Sequence, residues 1–542
     1  APVDLIWNGG IGTYVKASGE THADVGDRAN NALRVDGCEL RCRVVGEGGN
    51  LGLTQRGRIE AALNGVLLNT DFIDNSAGVD TSDHEVNIKI LLNPMLRSGE
   101  MKLEARNTLL ESMTDDVAAH VLRHNYDQSL TLTLARQRAA DDLDAHERLM
   151  ERMEADGRLD RAVEGLPGAD TIRMLKDQGE GLTRPEIAIL MSYAKIALFD
   201  ALVASDVPDD PHFEDTLVTY FPKALAKFAK QMQGHRLKRE IIATRLANDM
   251  INMGGPLFVH RTLEASGADI AAIARAFAAG RAIYRFDDLI GRINALDNKI
   301  PADAQLRLHE EVMGLLARQT IWLARRARAE EAGKATPISD LIKAYREGAD
   351  KLKAWGEDIL SSHERAGVAG RRSALEEVGA PAKLAAEAAA LQPLTPATDI
   401  VDLAKGAGWP LEAAARLYHE AGERFSFDPL RTAASSLSSS LHWDRLAARR
   451  LSEDLYASQL AICQAIAAYA AAAGGKLGSG AENPGQGWAA ELVSSWQIVN
   501  AHDVDRADRA IEELSASGSW TLSKVAIAST ELRELAQAAK AG

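Results

Sequence analysis

"VVGEGGNLGLTQ", Val44 to Gln55, decides how this chain of 542 residues is read. An apolar run meets Gly46, Gly48, Gly49 and Gly52 around Asn50, and polar residues able to open a helix follow. Glycines there let backbone N–H groups approach a phosphate or ribose where a Cβ would clash. The spacing departs from G-x-G-x-x-G, because Leu51 stands at the last position of that template. Taken alone, the stretch reads equally well as a strand-to-helix turn that holds no ligand.

Two neighbouring stretches repeat the pattern. "VDLIW" from Val3 leads into "NGGIG" (Asn8–Gly12), and "TDFI" from Thr70 leads into "DNSAG" (Asp74–Gly78). Strand followed by small-residue turn is the grammar of a parallel α/β sheet whose strand ends face a ligand. In "DNSAGVDTSDHE", Ser82 with Glu85 three residues later predicts a helix N-cap in a capping box, the helix running through Leu92. "VNIKI" from Val86 alternates with period two, so strand is the competing reading there. An N-cap hydroxyl can also face a crevice, because helix N-termini attract carboxylates.

After about Gly99 strand signals nearly vanish. The fold expected is an α/β remnant, a partial Rossmann-like parallel sheet over residues 1–100, followed by a large, mostly all-α region over 101–542 with breaks near 181 and 393. "LTRPEIAILMSYAKIALFDAL" carries the clearest helix start: Thr183 as N-cap, Pro185 in the first turn, Glu186 closing a capping box, and Leu182 with Ile187 as hydrophobic staple. "DVPDDP", "MGGPL", "LQPLTPAT" and the glycine-rich "GGKLGSGAENPGQG" separate later helices. No fixed-period repeat is present, which argues against a solenoid.

Net charge, 62 − 77 = −15, disfavours nucleic-acid and anionic-membrane binding. Basic clusters such as "RRARAEEAGK" have acids beside them and read as solvated helix faces. Three cysteines make no disulfide framework, so a reducing compartment is expected. No signal peptide opens the chain, and the apolar "LAICQAIAAYAAAA" from Leu460 is too short to span a bilayer. A cytoplasmic protein with no membrane partner is expected. Ala1 stands inside a strand approach without a methionine, so a piece of something longer is also expected.

Cys38 and Cys42 lack a second ligand pair for zinc. His120 and His124 lie one helical turn apart, but without the glutamate of H-E-x-x-H they read as a surface pair. His84 has no Ser–His–acid or Cys–His set around it in the sequence. No metal site is expected.

Together, "DLIWNGGIGTYVKAS", "RVVGEGGNLGLTQRGRIEAALNG" and "TDFIDNSAGVDTSDHEVNIKILL" resemble the NAD-specific glutamate dehydrogenases of the large-subunit class, and more distantly the hexameric glutamate dehydrogenases. "LTRPEIAILMSYAKIAL" and "GHRLKREIIATRLANDMINMGGPLFVHR" are similar to the C-terminal region of the large enzymes, a likeness that weakens beyond about Lys353.

The resemblance implies NAD as cofactor and glutamate/2-oxoglutarate as substrate, with the dinucleotide fingerprint and the catalytic lysine and aspartate upstream, so that no catalytic residue is expected in this chain. Asn50 and Asn75 would hold the nicotinamide ribose and carboxamide. Gly48 and Gly49 would allow the close approach, with Asn8, Gly9 and Gly10 in the preceding loop. Val79 and Ser82 would line the substrate pocket, the serine hydroxyl on the substrate's side-chain carboxylate. The chain departs from the hexamers in having "NLGLT" for "NGPT", and Asp83-His84 where they carry aromatics. A homo-oligomer is expected, and the isolated chain is expected to be inactive. The rival class is a non-catalytic helical assembly or regulatory module carrying an inert sheet remnant.

Overall fold

Val3–Asn8 forms strand β1 and Cys42–Glu47 forms strand β4; they pair in parallel, with Leu5 opposite Val44 and Trp7 opposite Gly46. The computed structural model describes residues 2–329, 336–437, 442–473, 485 and 487–541, so most of "GGKLGSGAENPGQG" and the end of "RRARAEEAGK" lie outside the described residues. Parallel strands need a crossover. This one contains two short strands, β2 (Val15–Lys16) and β3 (Val35–Asp36), which also pair in parallel. Among the described residues, the sheet continues beyond β4 only as a bridge from Val44 to Leu67.

Thr54 caps helix α1 (Gln55–Leu63), its hydroxyl accepting the Gly57 N–H at 2.9 Å. The strand–glycine turn–helix order expected from Val44 onward is therefore present. Val15, Cys42, Val45, Leu53, Ala61, Val66 and Leu68 form one apolar core.

Two local expectations are corrected. "TDFI" is no strand. Thr70 precedes a single helical turn, α2 (Asp71–Asp74). Its two aspartates, three residues apart, turn back onto the glycine-rich loop: Asp71 accepts the Leu51 N–H (2.8 Å) and Asp74 the Glu47 N–H (2.9 Å). Those bonds require the helical spacing, so burial and loop contacts override the β-like composition.

Nor does Ser82 cap a helix. It sits inside α3 (Ser76–Arg97), and Glu85 pairs with Lys89 instead of closing a box. The helix starts seven residues earlier because Asp80 has a partner in His124 (2.6 Å) and because His84, Asn87 and Ile88 are buried. "VNIKI" accordingly lies in helix.

The remainder is helical. α4 (Thr114–Gln137) packs on α3; α6 (Arg184–Ala204) packs on α1, α4 and α7 (Lys238–Gly254), while α5 (Leu143–Ala155) lies between α4 and α6 in the chain. The start of α6 matches its sequence: the Glu186 carboxylate accepts both the N–H (2.6 Å) and the hydroxyl (2.5 Å) of Thr183, and Leu182 and Ile187 are buried.

The chain divides into two compact units, Ala1–Ala278 with Thr320–Ser339, and Ala279–Gln319 with Asp340–Gly542. Residues 1–100 share the first unit with the helices that follow as far as Ala278.

In the second unit, α8 (Ser362–Glu377), α9 (Leu411–Arg424), α10 (Phe427–Ser436), α11 (His442–Ala473) and α12 (Leu522–Ala541) surround a buried polar network. Arg431 pairs with Asp428 and donates to Gln459 (2.5 Å), and Glu364 holds His419 at 2.7 Å. Burial opposes the charge on Glu364, but the His419 contact prevails and holds its carboxyl at about 2.

The reading of "LAICQAIAAYAAAA" as too short for a bilayer is also corrected, since it is only the end of α11. Arg184–Ala204 and Trp443–Ala473 are long and apolar enough, by length and composition, to cross a membrane. In α6, Ile187, Leu190, Met191, Leu198 and Leu202 are buried within the first unit, as core positions of a globular helix are.

Candidate functional site

The carboxyl ends of β1 and β4 bring two loops together. The Gly49 N–H donates to the Asn8 carbonyl (2.8 Å), the Tyr14 N–H to the Gly52 carbonyl (2.8 Å), and the Thr13 hydroxyl to the Leu51 carbonyl (2.7 Å). In parallel sheets such strand ends are where ligands bind.

The glycines serve this closure. A Cβ on Gly48 would stand 2.5 Å from the Trp7 ring, and one on Gly49 would stand 2.5 Å from the Gly10 carbonyl oxygen. The missing Cβ atoms thus make room for the chain's own first loop. Leu51 occupies the left-handed region at φ 59°, a cost that a glycine at the last template position would avoid.

Asn50 and Asn75 meet. The Asn75 Nδ2 donates to the Asn50 Oδ1 at 2.9 Å, joining the glycine-rich loop to the junction of α2 and α3. At the end of β1 the Asn8 Oδ1 faces the Gly10 N–H at 3.4 Å, while its buried Nδ2 fills the space a Cβ on Gly52 would need and has no hydrogen-bond partner. Gly9 and Gly10 are exposed, and Val79, Ser82 and Val86 form an exposed stripe on α3 at helical spacing.

Beneath the loops lies a charged floor that the sequence reading missed. Glu47, buried at the end of β4, takes a bidentate pair from Arg58 of α1 (2.6 and 2.9 Å) and accepts the Leu53 N–H at 3.3 Å. Arg58 also reaches Asp71 at 3.1 Å. Burial pushes the Glu47 carboxyl above its ordinary range, and the guanidinium opposes this. Asp74 binds Asn69 (2.6 Å), and Arg184 donates to Asn69, to Thr133 (2.7 Å) and to the Ser129 carbonyl (2.9 Å). The loops therefore rest on the Arg58 ion pairs, which join β4, α1 and α2, and on the Arg184 hydrogen bonds, which tie Asn69 to α4 and α6. One signal was available: an acid placed between an apolar run and glycines needs a buried cation.

Cys38 is exposed and Cys42 buried, and neither is in a disulfide. His120 and His124 are corrected: they are no surface pair. Both are partly buried and face α3, where the His84 ring lies 5.6 Å from that of His120 and 6.0 Å from that of His124. Helical spacing alone could not reveal this, because the partner side chains lie on another helix.

Comparison with known families matches residues 1–135 to "Bacterial NAD-glutamate dehydrogenase, catalytic domain" and residues 179–534 to "Glutamate dehydrogenase, C-terminal". The NAD-specific glutamate dehydrogenase of Pseudomonas aeruginosa is 40% identical over 543 aligned residues, covering 100% of this chain and 32% of that protein. Those of Halomonas elongata (39% identity, 99% and 32% coverage) and Mycobacterium tuberculosis (34%, 100% and 32%) align in the same way. The chain thus spans about a third of the length of the curated relatives it matches. With both family regions matched in order along one polypeptide, the chain belongs to the glutamate dehydrogenase family, in its bacterial NAD-dependent branch.

Proposed function

We propose that this chain is the C-terminal portion of an NAD-dependent glutamate dehydrogenase that converts L-glutamate, NAD and water to 2-oxoglutarate, ammonia and NADH. Its residues 1–100 would be the end of the dinucleotide-binding domain, and its residues 101–542 the helical C-terminal region. The observation that carries the reading is the junction of Asn50 and Asn75 at the carboxyl ends of parallel strands, within a sequence matched to the NAD-dependent catalytic domain. The buried Nδ2 of Asn8, packed against Gly52 at the same strand ends, has no hydrogen-bond partner, and a polar cofactor bearing ribose hydroxyls and an amide would supply an acceptor.

Bound NAD would accept the hydride released from the substrate carbon. Asn50 and Asn75 would hold its ribose and carboxamide, Gly48 and Gly49 would let the loop lie close, and Asn8, Gly9 and Gly10 would flank them. The exposed stripe of α3 would form the substrate wall, with Val79 excluding water and the Ser82 hydroxyl donating to the distal carboxylate. The proton-transferring lysine would come from upstream of Ala1. A cytoplasmic homo-oligomer without nucleic-acid or membrane partners fits the acidic composition.

The test uses the natural full-length polypeptide and follows NADH absorbance. Glutamate-dependent reduction of NAD is expected, and its absence at saturating glutamate overturns the reading. Ser82→Ala should lower kcat/KM for glutamate by roughly tenfold to over a hundredfold, the loss of a hydrogen bond to a charged group, while NAD affinity stays unchanged. The 542-residue chain alone is expected to show no turnover above a protein-free blank.

A further inference from the structure

Asp80, His84 and His124 stand together where α3 packs on α4. Asp80 and His84 lie one turn apart on α3, His124 projects from α4, and one ligand atom from each lies within 4.8 Å of the others. Asp80 Oδ1 is 3.8 Å from His84 Nε2, and Asp80 Oδ2 is 2.6 Å from His124 Nδ1. His84 supplies an independent observation. Its side chain is 1% exposed, and neither ring nitrogen has a hydrogen-bond partner. The ring stacks on Tyr220 (centroids 4.5 Å apart) and on His124 (6.0 Å). A buried imidazole with two silent nitrogens has lost its hydration with nothing in return.

The geometry points to a divalent transition-metal site formed by Asp80, His84 and His124, its ligand chemistry that of Zn²⁺, pinning α3 to α4. Two imidazole nitrogens and one carboxylate oxygen are a borderline-soft set that Zn²⁺ takes, with water in the fourth tetrahedral position. Ligation at about 2.0–2.1 Å sets donor atoms roughly 3.3 Å apart. At present Asp80 Oδ2 lies 2.6 Å from His124 and Oδ1 lies 3.8 Å from His84, either side of that spacing, and ligation would draw all three donor atoms from within 4.8 Å onto one ion.

At His124 the metal takes Nδ1, replacing the proton now shared with Asp80. That proton's place moves to Nε2, so Arg245, whose Nη1 now stands 2.5 Å from Nε2, turns away as the metal enters. Asp83 accepts the Tyr220 hydroxyl at 2.9 Å and holds the ring that orients His84, as outer groups orient metal-bound histidines. The site would fix the turn of α3 that carries Val79 and Ser82, and it would do so whether or not that stripe meets glutamate.

Cobalt(II) is the probe, titrated into the full-length polypeptide after chelator treatment. One Co²⁺ per chain with the intense visible bands of tetrahedral coordination is expected. His84→Phe keeps the stack on Tyr220 and should weaken Co²⁺ binding on the order of 100-fold without changing far-UV circular dichroism. Added Zn²⁺ should raise Tm of the parent but not of this variant. His124→Gln, a second variant, should behave alike should His84→Phe fail to fold. No spectral change with excess Co²⁺, only weak octahedral bands, or unchanged affinity in a folded variant would overturn the site.

Discussion

The residue that most constrains the strand-end loops is Arg58, because it is the counter-charge of a fully buried acid. Arg58→Ala leaves Glu47 and Asp71 without their shared cation, and breaking a buried pair on one side costs about 3–5 kcal/mol. Urea unfolding should register that loss, and Glu47→Gln, which retains the Arg58–Asp71 contact, should cost less. Equal midpoints for parent and Arg58→Ala would mean that the floor contributes nothing. Ser82 behaves differently: lying inside α3 rather than at its end, it provides no cap. Ser82→Ala should leave Tm unchanged while glutamate turnover falls.

His146 of α5 sets a pH dependence. Burial holds its imidazole down at about 4, although nearby Asp142 pulls upward, and both ring nitrogens lack partners. The unfolded chain, titrating near 6.5, binds the proton the folded chain refuses. The stabilisation is therefore complete above about pH 6.5 and lost as pH falls towards 4, by about 3 kcal/mol in all. Tm measured across that window should fall more steeply for the parent than for His146→Leu; parallel curves would exclude this residue as the cause.

At the scale of the element, α6 shows local chemistry prevailing over context. Thr183, Pro185 and Glu186 specify its start in the sequence, and the bonds form as their spacing requires. Thr183→Ala should cost about 1 kcal/mol, with Thr183→Ser near parental stability, as read by thermal melts. α3 shows the opposite. Its Ser82–Glu85 signature is locally sound, yet the helix extends past it because Asp80 finds His124 in α4 and Asn87 donates to the Tyr220 hydroxyl at 2.8 Å. α2 likewise yields β-like composition to two carboxylates that must reach the Glu47 and Leu51 N–H groups.

For the molecule as a whole, β1 is the exposed side of the sheet. Val3, Leu5, Ile6 and Trp7 (63% exposed) present apolar surface, and Ile11 beyond them is 96% exposed. Among the described residues β1 pairs only with β4, so its other edge offers free backbone groups as well. Exposed apolar strand edges promote association. Light scattering of the isolated chain should show concentration-dependent association, and Leu5→Lys with Trp7→Ser should reduce it. A strictly monomeric parent would refute that expectation.

The strands at Val3 and Cys42 with their glycine turns, the helix after Thr54 and the α6 cap were legible in the sequence, because each depends on residues a few positions apart. The charged floor, the helical turn at Asp71 and the histidine cluster were not legible. They depend on partners far along the chain: His124 lies 44 residues after Asp80, Tyr220 133 after Asn87, and Arg184 115 after Asn69. Closing such loops costs entropy that grows only slowly with their length, so nothing in the local pattern marks which distant pair will form. Burial decides it: once packing strips water from Glu47 or Asp80, only a cation or donor delivered by another helix can satisfy it, and that delivery is a property of the fold.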